Sequence, residues 1–210
     1  ITAMRTAGSA AVSVRLLARA DARRLLILGA GVQGQAHLAL VPLTRDFGEI
    51  LIGSLDLEDA QRLASQHPQA RAVDRFEEAV AAADVICLAT HARAPVIEAS
   101  WLRPGSHVTS VGYAPPAGEL DRPIAARHRL FVESRSAFEA PPVGCAELQG
   151  FDAIGATELG EVLLGRRPGR QSAAEITVYK AMGIAMEDLV AAHLVYERAR
   201  REGVGRTVEL

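Results

Sequence analysis

Aliphatic runs too short for helices alternate along this chain with segments whose apolar residues recur every three or four positions. Met4, Ala7, Ala11 and Val14 already lie at such steps, so residues 2–18 are predicted as a helix and the chain is expected to begin inside an element. Residues 24–28 follow as a continuous aliphatic run suited to a strand buried on both faces. A helical segment over 33–46, which Pro42 must kink or shorten, precedes a second strand over 49–54. A helix over 56–67, a strand over 70–73, a helix opened by the capping-box pair Asp74 and Glu77, and a strand over 85–90 continue the alternation. Strands over 107–112 and 129–133 flank a short helix near 120–126, which brings the expected strands to six.

Because each parallel return needs a crossover, this order predicts a doubly wound, Rossmann-type parallel α/β sheet. Beyond Pro168-Gly169, Ser172 and Glu175 form another capping-box pattern. Ile176, Tyr179, Met182, Met186, Leu189, Val190, His193 and Leu194 then share one helical face, so a single helix is expected from Ser172 to about Arg201. Both terminal helices have a face to bury, and they are expected to pack on each other outside the sheet.

The chemistry is concentrated after the first strand, where Gly29-Ala30-Gly31-Val32-Gln33-Gly34 satisfies G-x-G-x-x-G between a strand and a helix. In such a motif the first glycine permits the tight turn and the second lets the backbone approach a pyrophosphate. The third lets the helix lie close to the strand, with its N-terminus toward the phosphates. Gly29, Gly31 and Gly34, with Val32 and Gln33, are therefore assigned to a nicotinamide dinucleotide, NAD or NADP. At the tip of the second strand, Ser54 and Asp56 are the candidates for the ribose, although Asp56 serves equally well as the N-cap of the next helix. With no arginine at positions 54 or 55 to meet a 2′-phosphate, the reading leans to NAD. Thr90 and His91 end the fourth strand and Gly112 and Tyr113 the fifth, at the carboxyl edge where open α/β sheets bind ligands. Those residues are placed at the nicotinamide half, with Tyr113 beside the substrate.

Composition narrows the partners only slightly. Lys and Arg total 23 against 25 for Asp and Glu, a balance that favours neither a nucleic-acid nor an anionic-membrane partner. Cys87 and Cys145 stand apart from each other and from any histidine at ligand spacing, so a reduced cytoplasmic protein without a metal site is expected.

Together these segments resemble the ornithine cyclodeaminase/mu-crystallin family. The resemblance rests on Thr2-Ala3-Met4-Arg5-Thr6-Ala7, the glycine turn, Ala89-Thr90 with Pro95-Val96, Trp101-Leu102-Arg103-Pro104-Gly105, and the run from Glu158-Leu159-Gly160-Glu161 to Ile176-Thr177-Val178-Tyr179-Lys180. It implies hydride exchange between a nicotinamide cofactor and the α-carbon of a small amino or imino acid, as in amino-acid dehydrogenases and ketimine reductases. Ornithine cyclodeaminase, an ammonia lyase forming proline, and a non-catalytic crystallin-like nucleotide binder are the alternatives within the same family. The resemblance makes Arg5 the holder of the substrate carboxylate and Lys180 a support of the pocket, on the same layer as Arg5. It also puts Tyr113 where cyclodeaminases carry an aspartate, and tyrosine, with an ordinary pKa of about 10, is a weaker base. Residues 1–20 are thus expected to link to a further N-terminal substrate and dimerisation domain, 21–156 to form the dinucleotide-binding domain, and 157–210 to form helices packing back on the first. A homodimer is implied when that N-terminal domain is present.

Overall fold

In the computed structural model, which describes residues 1–208, helices cover both faces of an eight-stranded parallel sheet. The order begins with α1 (Thr2–Leu17), β1 (Arg24–Leu28), α2 (Val32–Leu40), β2 (Glu49–Gly53), α3 (Leu57–Ala64), β3 (Ala70–Val73), α4 (Phe76–Ala82) and β4 (Val85–Leu88). It continues with β5 (His107–Ser110), α5 (Arg122–Arg127), β6 (Arg129–Val132), β7 (Thr157–Glu158), α6 (Leu159–Leu163), β8 (Thr177–Lys180) and α7 (Ala185–Glu202). The doubly wound α/β class is as expected, with α2 closed by a short 3-10 turn that carries Pro42. Asp74 and Glu77 form no capping box, since α4 begins at Phe76 without a side-chain cap.

Alternate residues of the central strands feed two cores. Leu26, Leu28, Leu51, Ile86 and Leu88 pack toward α4 and α5, whereas Leu25, Ile27, Ile50, Ile52, Val85 and Cys87 pack toward α1, α2 and α3. Neither face meets water, which is why these strands read as unbroken aliphatic runs. Both cysteines are buried and free.

The main correction concerns the C-terminal third. The sheet order is β3-β2-β1-β4-β5-β8-β6-β7, so residues after 156 supply two strands instead of a separate helical layer. The helix expected from Ser172 starts only at Ala185. Ser172 and Glu175 do engage the backbone, but they close a turn: Glu175 N donates to Ser172 Oγ at 3.1 Å and Gln171 N to Glu175 Oε2 at 2.6 Å. Thr177, Val178 and Tyr179, residue types that suit a pleated strand, fill the space between β5 and β6, and Gly183 at φ +83° separates β8 from α7. The two terminal helices meet where Arg5 of α1 pairs with Glu187 and Asp188 of α7.

Strand periodicity also relocates Lys180. Tyr179 faces α1, its hydroxyl 2.6 Å from Ser9 Oγ, so Lys180 points to the opposite side of the sheet, away from Arg5. Lys180 is fully buried; Nζ donates to Gly112 O at 2.7 Å, Glu147 Oε1 at 2.9 Å and Ser110 Oγ at 3.1 Å. All three ammonium protons are thereby placed, which is what lets a lysine sit in a sheet interior. We expect Lys180→Met to lower stability by about 3–5 kcal/mol, because Glu147 would remain buried without a counter-charge. Urea unfolding should show the double change Lys180→Met with Glu147→Leu recovering part of that loss.

Candidate functional site

The glycine turn is dictated by backbone packing before any ligand is considered. Gly29 has φ +114°, and a Cβ there would collide with the Ala89 carbonyl at the end of β4. A Cβ on Gly34 would strike the Gly29 carbonyl, so α2 can approach β1 only because residue 34 has no side chain. Gly31, the N-cap of α2, differs from both: its φ is an ordinary −78° and a Cβ would meet nothing within 4 Å. The fold does not need glycine there, and the space beside it is open.

That space is the floor of a cleft of about 550 Å³ lined by the turn from Gly29 to Gln33, by Gly53 to Leu55, by Phe76, and by Ala89 to Ala92 with Val96. Its walls are mostly apolar, with amides, the Ser54 and Thr90 hydroxyls and the His91 ring at intervals. Gln33 Oε1 is buried without a partner. Open room at Gly31 and the free amides at the N-terminal end of α2 together fit the diphosphate of a dinucleotide. Asp56 is outside this lining: its carboxylate accepts from Glu58 N at 2.8 Å and caps α3.

At the other end of the cleft the carboxyl ends of β4 and β5 meet around Glu119, which is fully buried. Its Oε2 accepts from Thr90 N at 2.7 Å and Thr90 Oγ1 at 2.6 Å. Its Oε1 accepts from Ser110 Oγ at 2.9 Å, Val111 N at 3.1 Å and Gly112 N at 2.6 Å. Gly112 is glycine for a steric reason, since a Cβ would lie 2.5 Å from the Glu119 carboxyl carbon and against the Thr90 carbonyl. Sequence reasoning missed Glu119 as a functional residue. An acid in a Pro/Gly-rich loop reads as solvated, and only the three-dimensional convergence of β4 and β5 shows otherwise. Tyr113 is half-buried and packs against the core that contains Leu120 and Leu148, outside the cleft lining.

Arg5 lies elsewhere, on a second cavity of about 560 Å³ between α1, α6 and α7 that also touches Ser9, Glu133 and Tyr179. Its Nε donates to Asp188 at 3.2 Å and its Nη1 to Glu187 at 3.1 Å. Beneath it, Glu133 Oε1 accepts from the amides of Met182 and Gly183, while Oε2 is buried without a partner. The structure thus gathers Gly29, Gly31, Val32, Gln33, Ser54, Thr90 and His91 around one cleft, with Gly34 and Gly112 behind its wall. Arg5 opens on a different cavity, and Lys180 is buried below Gly112. Among the described residues no cluster of His, Cys, Asp and Glu is arranged to hold a metal ion, and no helix is long and apolar enough to cross a membrane.

The model of the ornithine cyclodeaminase/mu-crystallin family matches residues 1–203. The chain is 38% identical over 199 residues to ketimine reductase mu-crystallin of Mus musculus, covering 94% of this chain and 62% of that protein. It is 31% identical over 220 residues to a Δ1-pyrroline-2-carboxylate reductase of Bacillus cereus, covering 100% of this chain and 67% of the relative. Among solved structures, the Thermococcus litoralis Δ1-pyrroline-2-carboxylate reductase in complex with NADH and L-proline superposes with a TM-score of 0.90 at 31% identity, over 99% of this chain and 67% of that one. The iminosuccinate reductase of Paracoccus denitrificans with NAD+ gives 0.87 at 28%, over 100% and 66%. The chain therefore spans only 62% of the length of the mouse mu-crystallin it matches.

The Glu133 environment has a measurable consequence. Burial pushes its carboxyl from an ordinary 4.5 up to about 7; Glu187 adds to the rise, while the Met182 and Gly183 amides and Arg5 oppose it. Between those values the folded state holds more protons than the unfolded one, so this group's contribution to stability falls as pH rises from 4.5 through about 7. Urea midpoints measured at pH values spanning this window should fall less steeply for Glu133→Gln than for the parent. An unchanged slope would assign the pH dependence to other groups.

Proposed function

The chain belongs to the ornithine cyclodeaminase/mu-crystallin family, and from that premise we propose that it is the dinucleotide-binding part of an NAD(P)-dependent oxidoreductase acting at the α-carbon of a small amino or imino acid. The observation that carries the reading is Gly31, a helix N-cap that is glycine without any packing need, facing open space in the cleft. The names of the relatives, a ketimine reductase and pyrroline-2-carboxylate reductases, support reduction of a C=N bond over ammonia loss.

In this reading the Gly29–Gly34 turn and the start of α2 hold the pyrophosphate, with Val32 and Gln33 beside it. Ser54 meets the ribose, since the Asp56 carboxylate is engaged as a cap. NAD is favoured over NADP because Gly53, Ser54 and Leu55, which form the wall at the tip of β2, present no cation to a 2′-phosphate. Thr90, His91 and Gly112 border the nicotinamide half, which when bound supplies the hydride. Arg5 offers the substrate carboxylate the guanidinium N–H groups that Glu187 and Asp188 leave free. Lys180 supports the site from beneath Gly112, whereas Tyr113, packed on the core outside both cavities, is given no part in the chemistry. The exposed apolar residues of α7, among them Met186, Leu189, Val190 and Leu194, suit burial in a homodimer of a longer protein. The cytoplasm is the compartment in which two free cysteines would stay reduced.

The direct test supplies NADH or NADPH with a cyclic imino acid such as Δ1-pyrroline-2-carboxylate and follows loss of the reduced cofactor. Ammonia released from ornithine with no net change in the cofactor would replace this reading with the cyclodeaminase. Two glycine variants separate binding from folding. Gly31→Ala should weaken cofactor binding roughly tenfold while costing no more than about 1 kcal/mol of stability. Gly34→Ala should cost about 1–3 kcal/mol or more, because its methyl strikes the Gly29 carbonyl. Arg5→Lys is expected to raise KM for the imino acid with cofactor affinity unchanged, since a lysine cannot make the planar two-pronged contact.

A further inference from the structure

We propose that Glu119 is a positioning residue for the nicotinamide half of the bound dinucleotide, acting by holding three cleft-forming segments in one arrangement. The inference rests on the dinucleotide reading above and extends it from the pyrophosphate end to the far end of the cleft. Three observations carry it. The carboxylate joins the end of β4, through Thr90 N and Oγ1, to the end of β5, through Ser110 Oγ and the amides of Val111 and Gly112. Its own main-chain carbonyl accepts from Val96 N at 3.0 Å, which ties down the loop that returns along the cleft. The Thr90 hydroxyl, while donating to Glu119, accepts from Ala92 N at 3.1 Å and so orders the residues on either side of His91.

Thr90, Ala92 and Val96 all line the cleft, and Glu119 does not. The residue therefore reaches the ligand only through the segments it holds. Its two oxygens face different strands, and both act only as acceptors. An amide at this position would turn an NH2 group toward donors on one side, breaking either the β4 or the β5 half of the clamp. Strand β8 adds to the arrangement, because Lys180 Nζ donates to the same Ser110 hydroxyl that donates to Glu119. By contrast, the turn is shaped by main-chain packing of Gly29 on Ala89 and of Gly34 on the Gly29 carbonyl, and it donates no hydrogen bond to this carboxylate.

The two ends of the cleft should thus separate in a binding experiment on the intact protein. Calorimetric titration with NADH, and separately with ADP-ribose, which lacks the nicotinamide, reads the two ends independently. For Glu119→Gln we expect the Kd for NADH to rise about tenfold, the cost of losing a hydrogen bond to a charged group, with the Kd for ADP-ribose within about twofold of the parent. Thr90→Val should reproduce part of the NADH-specific loss, and Thr90→Ser should restore it. If Glu119→Gln does not fold, the Thr90 pair decides the matter by the same ratio. Equal weakening of both ligands, or of neither, would overturn the proposal, whereas a parent protein that binds neither ligand would instead overturn the dinucleotide reading itself.

Discussion

A carboxylate removed from water must find its solvation inside the protein, and Glu119 finds it in the main-chain amides of Thr90, Val111 and Gly112 and the hydroxyls of Thr90 and Ser110. Every one of those donors sits at the carboxyl end of β4 or β5. Satisfying one buried charge and shaping the crevice at the sheet edge are therefore the same physical problem. Lys180 shares the Ser110 hydroxyl with it and pairs with Glu147, so a second buried charge pair lies under the same end of the cleft.

The opposite end is built differently. Between Gly29, Gly34 and Ala89 the constraint is exclusion: main-chain atoms occupy the positions that side chains would need. The apolar layers on each face of the sheet press β1 and β4 together, and α2 seats on the turn because residue 34 has no Cβ. A rigid, amide-rich surface results from packing alone, and the open side of Gly31 is the part of it left for a ligand.

The cavity around Arg5, Glu133 and Tyr179 is distinct from the cleft but connected to it through β8. Tyr179 and Lys180 are consecutive on that strand and face opposite sides, one toward α1 and Ser9, the other toward Gly112. The amides that hold Glu133, those of Met182 and Gly183, follow two residues on. One short strand thus ties the helical layer carrying Arg5 to the sheet edge at Gly112.

How much of this was legible depended on the range of the forces involved. The strand from Arg24 to Leu28, the glycine turn after it and the early end of the helix at Pro42 are decided by residues within a few positions of each other, and so the amino-acid order alone was enough to place them, whereas it left Asp56 open between a helix cap and a ribose ligand. The segment from Thr177 to Lys180 was not legible, because its apolar spacing suits a helix. Only pairing with β5 and β6, dozens of residues distant, makes it a strand and turns Lys180 from a solvated cation into a buried one. Glu119, Glu133 and Glu147 were equally silent: acids in loops look solvated until the chain folds around them. Short-range sterics and periodicity determined the class of fold and the position of the turn. Long-range burial, which fixes who neutralises whom, decided the rest.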